Sequence, residues 1–245
     1  MRAVVIIPTY NEADNIQRFL TQVRQDAPST DILVVDDNSP DGTARLAESV
    51  ASQLGSITVI NRTGKRGYAA ASREAMQSAI DSGYEVIATM DADFSHDPKV
   101  LDQLIARVND TTALVIGSRY VVGGEITNWS RFRRLLSRWG NRYTAFCLRL
   151  EIKDCTSGFR TYSAKSLTQI NVADLTADGY AFLTEMAFVI SRNKLGVIAE
   201  VPINYVDRAC GDSKMNAKIM CESMLLVTRW GVALRTGIGR KHLPR

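Results

Sequence analysis

The sequence is poor in the residues that build zinc sites, thiol chemistry or imidazole-based catalysis. Two histidines, His96 and His242, occur among 245 residues, and the four cysteines form no Cys-x-x-Cys pair and no zinc-like spacing with them. This spacing excludes the common zinc motifs. We therefore expect four reduced thiols in a cytosolic protein.

Long apolar runs and glycine-rich phosphate loops are also missing. No stretch of about 18 apolar residues occurs, so we expect no conventional membrane span. Met1–Pro8 has the pattern of an opening strand and lacks the basic start of a signal peptide. Neither Gly-x-x-x-x-Gly-Lys-Ser/Thr nor Gly-x-Gly-x-x-Gly is present, so a nucleotide diphosphate would have to be held by a metal ion and side chains.

The composition is that of a soluble globular protein, with 45% hydrophobic and 23% charged residues. A length of 245 residues fits one large domain, or one domain with an appendage. The net charge of +4 is modest. It fits an anionic substrate or an anionic membrane surface, and does not point to nucleic acid.

Short apolar runs alternate with helical patterns along the first half of the chain. Ala3–Ile7 is a β-branched run that stops at Pro8, and Asn11 is the candidate N-cap of the helix that follows. Further strands are predicted at Ile32–Val35, Ile57–Ile60, Val86–Met90 and Leu114–Gly117, and further helices at Ala70–Ile80 and from Pro98 onward. This alternation predicts an α/β fold with a mostly parallel sheet, covered on both faces.

Polar clusters follow three of these strands, at Pro8–Glu12, Asp36-Asp37 and Asp91–Asp93. Ligands of open α/β sheets bind at the carboxyl ends of strands, so we expect these clusters to meet at one site. A single aspartate after a strand often serves only as a turn or helix cap. Three clusters at one sheet edge are harder to explain in that way.

Asp91-Ala92-Asp93 is the sharpest of these motifs. Two carboxylates at a strand exit provide hard oxygen ligands for Mg²⁺ or Mn²⁺, and substrate phosphates would complete the coordination shell. A divalent ion there would neutralise the charge that develops on a departing diphosphate.

Four strings occur together in a fixed order: Ile7–Glu12, Val35–Thr43, Met90–His96, and Glu200–Ile203 followed by Arg208 and Gly211–Lys214. They resemble the motifs of polyprenol (dolichol) phosphate mannosyltransferases, which are inverting family 2 glycosyltransferases. The resemblance runs from about residue 3 to residue 216. It implies a GT-A (Rossmann-like) glycosyltransferase fold that moves mannose from GDP-mannose to a polyprenyl phosphate, with inversion.

The resemblance also assigns residues to the donor. Pro8, Tyr10 and Glu12 match family positions that contact the nucleoside. Val35 and Asp37 match contacts to the base and ribose.

The diphosphate is assigned a second set of residues. Asp91 and Asp93 match the ligands of Mg²⁺ or Mn²⁺ and of the diphosphate, and Ala92 contributes its backbone. Arg208 and Lys214 match cations that close over the diphosphate.

The catalytic set implied by the resemblance is Asp93, Arg119 and Arg138. Arg119 matches a basic residue near the transferred sugar and the phosphates, and Arg138 one that holds the acceptor phosphate. A phosphate monoester is largely dianionic near pH 7 because its second pKa is about 6, so no general base is required. We expect His96 to support the metal motif, and Cys155, in the polar segment 154–160, to be a buried thiol.

Residues 128–150 carry an apolar stripe beside a basic one. One interpretation is a core-packed apolar face next to a solvated basic face. The other is a helix at a membrane interface, with its arginines on lipid phosphate. The apolar stripe comprises Phe132, Leu135, Leu136, Trp139, Tyr143 and Phe146, and the basic stripe Arg131, Arg134, Arg138 and Arg142.

The sequence suggests a catalytic domain over residues 1–213 and an appended segment over 214–245. Ile219–Leu234 is largely apolar, but Glu222 and Arg229 interrupt it and a basic tail follows. We expect an amphipathic helix that holds the enzyme peripherally on the cytoplasmic face of a membrane, or that docks a membrane-anchoring subunit. A helix packed on the catalytic domain is the alternative.

Two other functions remain open on the sequence. The chain could use another nucleotide sugar, such as UDP-glucose or UDP-GlcNAc, on the same fold. It could also be a nucleotide-sugar-binding subunit without activity, although the intact Asp91-Ala92-Asp93 motif argues against this. We expect no nucleic-acid partner, because no RNP-like motif is present.

Overall fold

A computed structural model describes residues 1–64, 67–179, 181–207, 217–239 and 243–244. Arg208 and Lys214, which the resemblance assigns to the diphosphate, lie outside the described residues. The same holds for Cys210, for His242 and for most of the basic tail.

The chain alternates strands and helices as its apolar pattern predicts. Its strands are β1 (Ala3–Thr9), β2 (Asp31–Asp36), β3 (Ile57–Asn61), β4 (Val86–Thr89), β5 (Thr112–Ser118), β6 (Glu125–Ile126), β7 (Arg160–Ser163), β8 (Val197–Pro202) and β9 (Asn204–Tyr205). Its α-helices are α1 (Ile16–Asp26), α2 (Thr43–Leu54), α3 (Tyr68–Asp81), α4 (Leu101–Ala106), α5 (Arg131–Leu148), α6 (Ala164–Ile170), α7 (Ala181–Arg192) and α8 (Ala217–Thr236).

The central sheet has seven strands in the order β3-β2-β1-β4-β7-β5-β8. All neighbours are parallel except β7, which runs antiparallel to both β4 and β5. β6 and β9 form a separate parallel pair. The mostly parallel sheet expected from the sequence is therefore confirmed.

Each face of the central sheet carries its own core. Alternate residues of β1 point to opposite sides: Val4 and Ile6 join one apolar cluster, and Val5 and Ile7 the other. Helices α1, α2 and α4 cover the second face, and α3, α5, α6, α7 and α8 the first. Burial of a side chain such as Phe19, which has no exposed surface, contributes about 1.5–3 kcal/mol.

The prediction of Asn11 as the N-cap of α1 is wrong. The helix begins at Ile16, with Asn15 at the N-cap position. The main chain first turns at Glu12, whose carbonyl oxygen accepts the amides of Asn15 and Ile16 at 3.0 and 2.8 Å. Asn11 instead takes a left-handed conformation, with φ of 58°, which asparagine tolerates better than most residues.

Candidate active site

The strand order creates a crevice at the carboxyl ends of β1 and β4. The chain proceeds outward from β1 to β2 and β3, then returns to the other side of β1 as β4. Helical connections leave in opposite directions at such a point, and this is where open α/β sheets bind ligands. Pro8 pairs with Val35, and Met90 N donates to Ile6 O at 3.0 Å, so the three predicted polar clusters do meet at one edge.

On the predicted donor side, Asp37 is buried and its carboxylate is held by the protein. Arg62 Nη1 donates to Asp37 Oδ1, and the Gly67 amide donates to Asp37 Oδ2 at 2.6 Å. Arg62 Nε also donates to Glu74 Oε2 at 2.8 Å. The position of Asp37 is thus fixed by Arg62, a residue that the sequence did not single out. The sequence gives one hint of this role, because Arg62 is a charged residue directly after β3.

The Asp91-Ala92-Asp93 triplet lies beyond β4, on the other side of the crevice. Asp93 is 2% exposed, and its Oδ1 accepts the Ser95 amide at 3.0 Å. Asp91 is partly exposed and lines the large cavity described below. Gly158 lies directly against it: a Cβ at Gly158 would stand 3.5 and 3.6 Å from the Asp91 carboxylate oxygens. A larger residue at 158 would therefore occupy the space in front of this carboxylate.

His96 holds the main chain at the start of the triplet. Its Nδ1 accepts the Asp91 amide at 3.3 Å, and its ring stacks on Phe159 with centroids 5.2 Å apart. Burial holds the pKa of His96 below its usual value, against the opposing charges of Asp91 and Asp93. The neutral ring with an unprotonated Nδ1 is the form that can accept this hydrogen bond.

The donor set fits a hard divalent cation only in part. Among the described residues, no group of three or more His, Cys, Asp or Glu side chains gathers around a common point. The carboxylates of Asp91 and Asp93 would supply oxygen ligands, and the remaining positions would fall to substrate phosphates and water, as is usual for Mg²⁺ with nucleotides.

Arg119 lies at the cavity wall in a buried ion pair with Asp154. Its Nε and Nη2 each donate to one Asp154 oxygen at 2.7 Å, and Nη2 also donates to Thr156 Oγ1 at 2.8 Å. Burial by itself would raise the pKa of Asp154, but the charge and hydrogen bonds of Arg119 hold it below its usual value. Gly124 lets the loop after Arg119 fold back, because a Cβ there would stand 2.7 Å from Ser118 O. The guanidinium therefore has one fixed orientation.

Arg160 holds the loop that carries Asp154. It is fully buried, and its three nitrogens donate to the carbonyl oxygens of Ser157, Leu183 and Cys155 at 2.7, 2.5 and 2.7 Å. Cys155 is buried as expected, and burial raises the pKa of its thiol to about 12. This thiol is therefore no nucleophile at neutral pH.

A cavity of about 400 Å³ extends from the triplet to the space between α5 and α8. Its polar end includes Asp91, Arg119, Thr156 and Ser157. Its apolar end is lined by Leu136 and Trp139 of α5 and by Met220, Met224 and Val227 of α8. One continuous cavity thus joins a charged site to an apolar channel.

Helix α5 leaves four of the six residues of its apolar stripe outside the core. Phe132 and Phe146 are both 75% exposed, Leu135 is 68% exposed and Trp139 is 50% exposed. The helix is anchored instead by Asn141, Thr144, Cys147 and Leu148. The interpretation of a core-packed apolar face is therefore wrong for these four residues, which form the exposed stripe of α5.

Helix α8 packs on the catalytic core along one side. Trp230 stacks on Phe188 with centroids 5.9 Å apart, and Arg235 donates to the carbonyl oxygens of Cys147 and Phe146 at 2.7 Å each. Leu225, at 65%, and Val232, at 48%, remain exposed on its other side. Within the described ranges, no helix has the length and apolar content needed to cross a bilayer.

Arg138 is exposed and does not line the cavity; its guanidinium lies 5.6 Å from the centre of the Tyr120 ring. Arg133, five residues earlier on α5, does line it. Arg133 Nη1 donates to Asp207 at 3.0 Å, and its guanidinium lies 3.9 Å above the Trp129 ring. The acceptor role assigned to Arg138 stays a prediction, and Arg133 is a candidate that the sequence did not single out.

Comparison with known proteins agrees with this geometry. Residues 4–170 match the model of glycosyl transferase family 2. The chain is 42% identical to undecaprenyl-phosphate mannosyltransferase of Micrococcus luteus, over 96% of both chains. It is 39% identical to polyprenol monophosphomannose synthase of Mycolicibacterium smegmatis, over 94% of this chain and 87% of that protein.

The fold is also shared with solved structures. The mannosyltransferase PcManGT of Pyrobaculum calidifontis, solved with GDP-Man and Mn²⁺, superposes with a TM-score of 0.61 at 18% identity, over 99% of this chain and 67% of that one. This likeness confirms the GT-A architecture expected from the sequence. The chain therefore belongs to glycosyl transferase family 2, in the branch that contains the polyprenyl-phosphate mannosyltransferases.

Proposed function

We propose that this enzyme transfers mannose from GDP-mannose to a polyprenyl phosphate with inversion, giving polyprenyl β-mannosyl phosphate. The observation that carries the proposal is the cavity with a charged end at Asp91 and Arg119 and an apolar end between α5 and α8. A lipid phosphate has the same two parts, an anionic head and a hydrocarbon tail.

The reaction brings two anions together, so the enzyme must cancel their repulsion. The acceptor phosphate is already ionised and attacks the anomeric carbon from the face opposite the departing GDP. Arg119 and Arg133 line the cavity and would hold the phosphate in line with that carbon. Arg208 and Lys214, assigned by resemblance, would add positive charge over the diphosphate.

Asp91 and Asp93 would hold Mg²⁺ or Mn²⁺ together with the donor diphosphate. The bound ion would supply positive charge to the departing GDP. The residues around them define the geometry: His96 fixes the Asp91 amide, and the Ser95 amide fixes the Asp93 carboxylate. The Mn²⁺ bound with GDP-Man in the Pyrobaculum enzyme supports this assignment.

The membrane surface is part of the proposal, because a long prenyl tail stays in the bilayer. The exposed stripe of α5 would enter the headgroup region, with Arg131, Arg134, Arg138 and Arg142 facing lipid phosphates. We place the enzyme on the cytoplasmic face. The four cysteines form no Cys-x-x-Cys pair, a pattern that supports a reducing compartment. A membrane-anchoring subunit that covers the same stripe is the alternative to direct lipid contact.

We also propose that residues 1–213 form the catalytic domain and that residues 214–245 add a lipid-facing wall. The cavity lining supports this division, since Met220, Met224 and Val227 close its apolar end.

A transfer assay tests the proposal. Purified enzyme is incubated with MnCl₂, a polyprenyl phosphate and one radiolabelled nucleotide sugar at a time, and the lipid is then extracted. We expect label in the organic phase with GDP-mannose only, and none when the metal is chelated.

Other outcomes select the alternatives. Label from UDP-glucose or UDP-GlcNAc would establish a different donor. Label that stays in water for every donor, while GDP-mannose still binds, would identify a nucleotide-sugar-binding subunit without activity.

A further inference from the structure

Three consecutive main-chain amides after β1 are bound by side chains from the loop before α2 and from the first residue of α2. Asn11 N donates to Ser39 Oγ at 3.0 Å, Glu12 N to Thr43 Oγ1 at 2.9 Å, and Ala13 N to Asp41 Oδ2 at 3.1 Å. We call Ser39, Asp41 and Thr43 the clasp. Every second residue of the segment 39–43 thus serves the neighbouring loop.

The clasp is itself rigid. Ser39 is held by Asp36, whose Oδ1 accepts its hydroxyl at 2.6 Å and whose Oδ2 accepts its amide at 2.7 Å. Asp41 Oδ1 accepts both the amide and the hydroxyl of Thr43, at 3.0 and 2.6 Å. Gly42, with φ of 88°, permits the turn into α2 that places Thr43 there. Each acceptor of the clasp therefore has a fixed position before any ligand binds.

The loop that the clasp holds carries two of the three residues assigned to the nucleoside, Tyr10 and Glu12. Glu12 lies between two clasped neighbours, and its Oε2 accepts Asn15 Nδ2 at 3.0 Å. Fixing the main chain at 11–13 therefore also fixes where the Glu12 carboxylate lies. Tyr10 directly precedes the clasped segment, at the switch point between β1 and β4.

We propose that Ser39, Asp41 and Thr43 are positioning residues for the donor nucleotide, acting by holding the loop of Tyr10 and Glu12 in its binding conformation. The inference rests on the proposed function in one respect, that a guanine nucleotide binds at this loop. It adds that part of the donor affinity is set by residues that need not touch the donor. A preformed loop loses less conformational entropy when the ligand binds.

Two variants break the clasp at different amides. Thr43→Val keeps the branched shape but cannot accept a hydrogen bond from the Glu12 amide. Thr43→Ser keeps the hydroxyl and should restore this hydrogen bond. Asp41→Asn can still accept from Thr43 through one oxygen, but its NH₂ group cannot accept the Ala13 amide. Asp41 is exposed, so this second variant folds even if Thr43→Val does not. Thr21→Val on α1 is the matched control, because the Thr21 hydroxyl donates to Gln17 O of its own helix at 2.9 Å.

Amide hydrogen exchange gives the first readout, on the ligand-free protein. We expect the amides of residues 11–13 to exchange faster in Thr43→Val and Asp41→Asn, and at the wild-type rate in Thr43→Ser and Thr21→Val. Calorimetric titration with GDP and MnCl₂ gives the second. We expect affinity to fall about three- to tenfold for each lost bond, with affinity for a short prenyl phosphate unchanged.

The outcomes separate the inference from the function. Wild-type protein that fails to bind GDP with MnCl₂ would overturn the proposed function. Wild-type protein that binds GDP no better than Thr43→Val and Asp41→Asn would overturn the clasp as a positioning device, and so would an equal loss of prenyl phosphate affinity.

Discussion

At the scale of single residues, the proposed donor chemistry rests on the carboxylates of the Asp91-Ala92-Asp93 triplet. The sequence predicted both from their place after a strand, and the structure adds the residues that orient them. His96 holds the Asp91 amide, and Gly158 leaves room in front of the Asp91 carboxylate. The triplet is thus a built site at the edge of the sheet.

Asp91→Asn should lower the transfer rate about 100-fold or more, because an amide gives up the charge that a divalent cation requires. Binding of GDP should also lose its dependence on MnCl₂, which calorimetry measures. Asp102→Asn on α4, which removes an exposed charge elsewhere, serves as the control. Unchanged Mn²⁺-dependent binding in Asp91→Asn would remove Asp91 from the metal site.

Arg133 and Arg138 are alternative candidates for binding the acceptor phosphate. Arg133 lines the cavity, whereas Arg138 is exposed outside it. Arg133→Ala should raise the KM for prenyl phosphate about tenfold or more and leave the KM for GDP-mannose nearly unchanged. Asp207→Asn removes the Arg133–Asp207 ion pair but keeps the arginine, so it shows how much of the change in KM comes from loss of that pair.

A larger effect of Arg138→Ala than of Arg133→Ala would reverse this order. It would place the acceptor phosphate on the exposed side of α5, where the resemblance puts it.

The Arg119–Asp154 pair should give stability a dependence on acid pH. The pKa of Asp154 is lowered in the folded protein, so the pair stabilises the fold fully above the unfolded-state pKa of about 4 and loses this contribution as pH falls through the folded-state value. Asp154→Asn is neutral at every pH. The free-energy difference between wild type and variant in urea unfolding should therefore shrink as pH falls from about 5 to about 3. A constant difference would mean that Asp154 titrates normally.

At the scale of elements, helix α5 shows what an apolar pattern leaves open. Its stripe at helical spacing is equally compatible with a core and with a membrane surface. Only the structure decides, because the neighbouring residues Asn141, Thr144 and Cys147 take the buried face instead. The exposed stripe of α5 is therefore available to lipid.

Phe132→Ser with Leu135→Ser should reduce flotation of the enzyme with anionic liposomes, since each removes exposed apolar area from α5, the helix that we propose meets the membrane. Leu54→Ser, at the end of α2 on the opposite face of the sheet, should float like wild type. Flotation that is equal in all three proteins would show that α5 does not meet the lipid. Binding that appears only with a second protein would point to an anchoring subunit.

The elements that could be predicted from the sequence, such as β1 and β2, are buried segments that consist of continuous apolar runs. Strand β7 could not be predicted from the sequence, because Arg160–Ser163 is short and polar and its burial depends on partners elsewhere in the chain. The start of α1 was misplaced for a similar reason. The Asn11 side chain could cap a helix, but the clasp of Ser39, Asp41 and Thr43 already binds the amides of residues 11–13.

At the scale of the whole molecule, the strand order explains why the meeting of the three polar clusters could be predicted from the sequence and the proposed acceptor side could not. The polar clusters each follow a strand of the parallel part of the sheet, so their meeting point follows from topology. The proposed acceptor side joins residues far apart in the chain: Asp154 meets Arg119 across 35 positions, and α8 closes the cavity against α5. Such pairings have no periodic signal in the sequence.

Photolabelling of the acceptor tests most directly that one cavity joins the donor site to a lipid channel. A prenyl phosphate with a photoreactive group in its tail is irradiated with the enzyme, GDP and MnCl₂, and the labelled peptides are identified by mass spectrometry. We expect label on α5 and α8 around Leu136, Trp139, Met220 and Met224, and competition by unlabelled polyprenyl phosphate. Label confined to α1, α2 or α4, on the other face of the sheet, would contradict the proposed site.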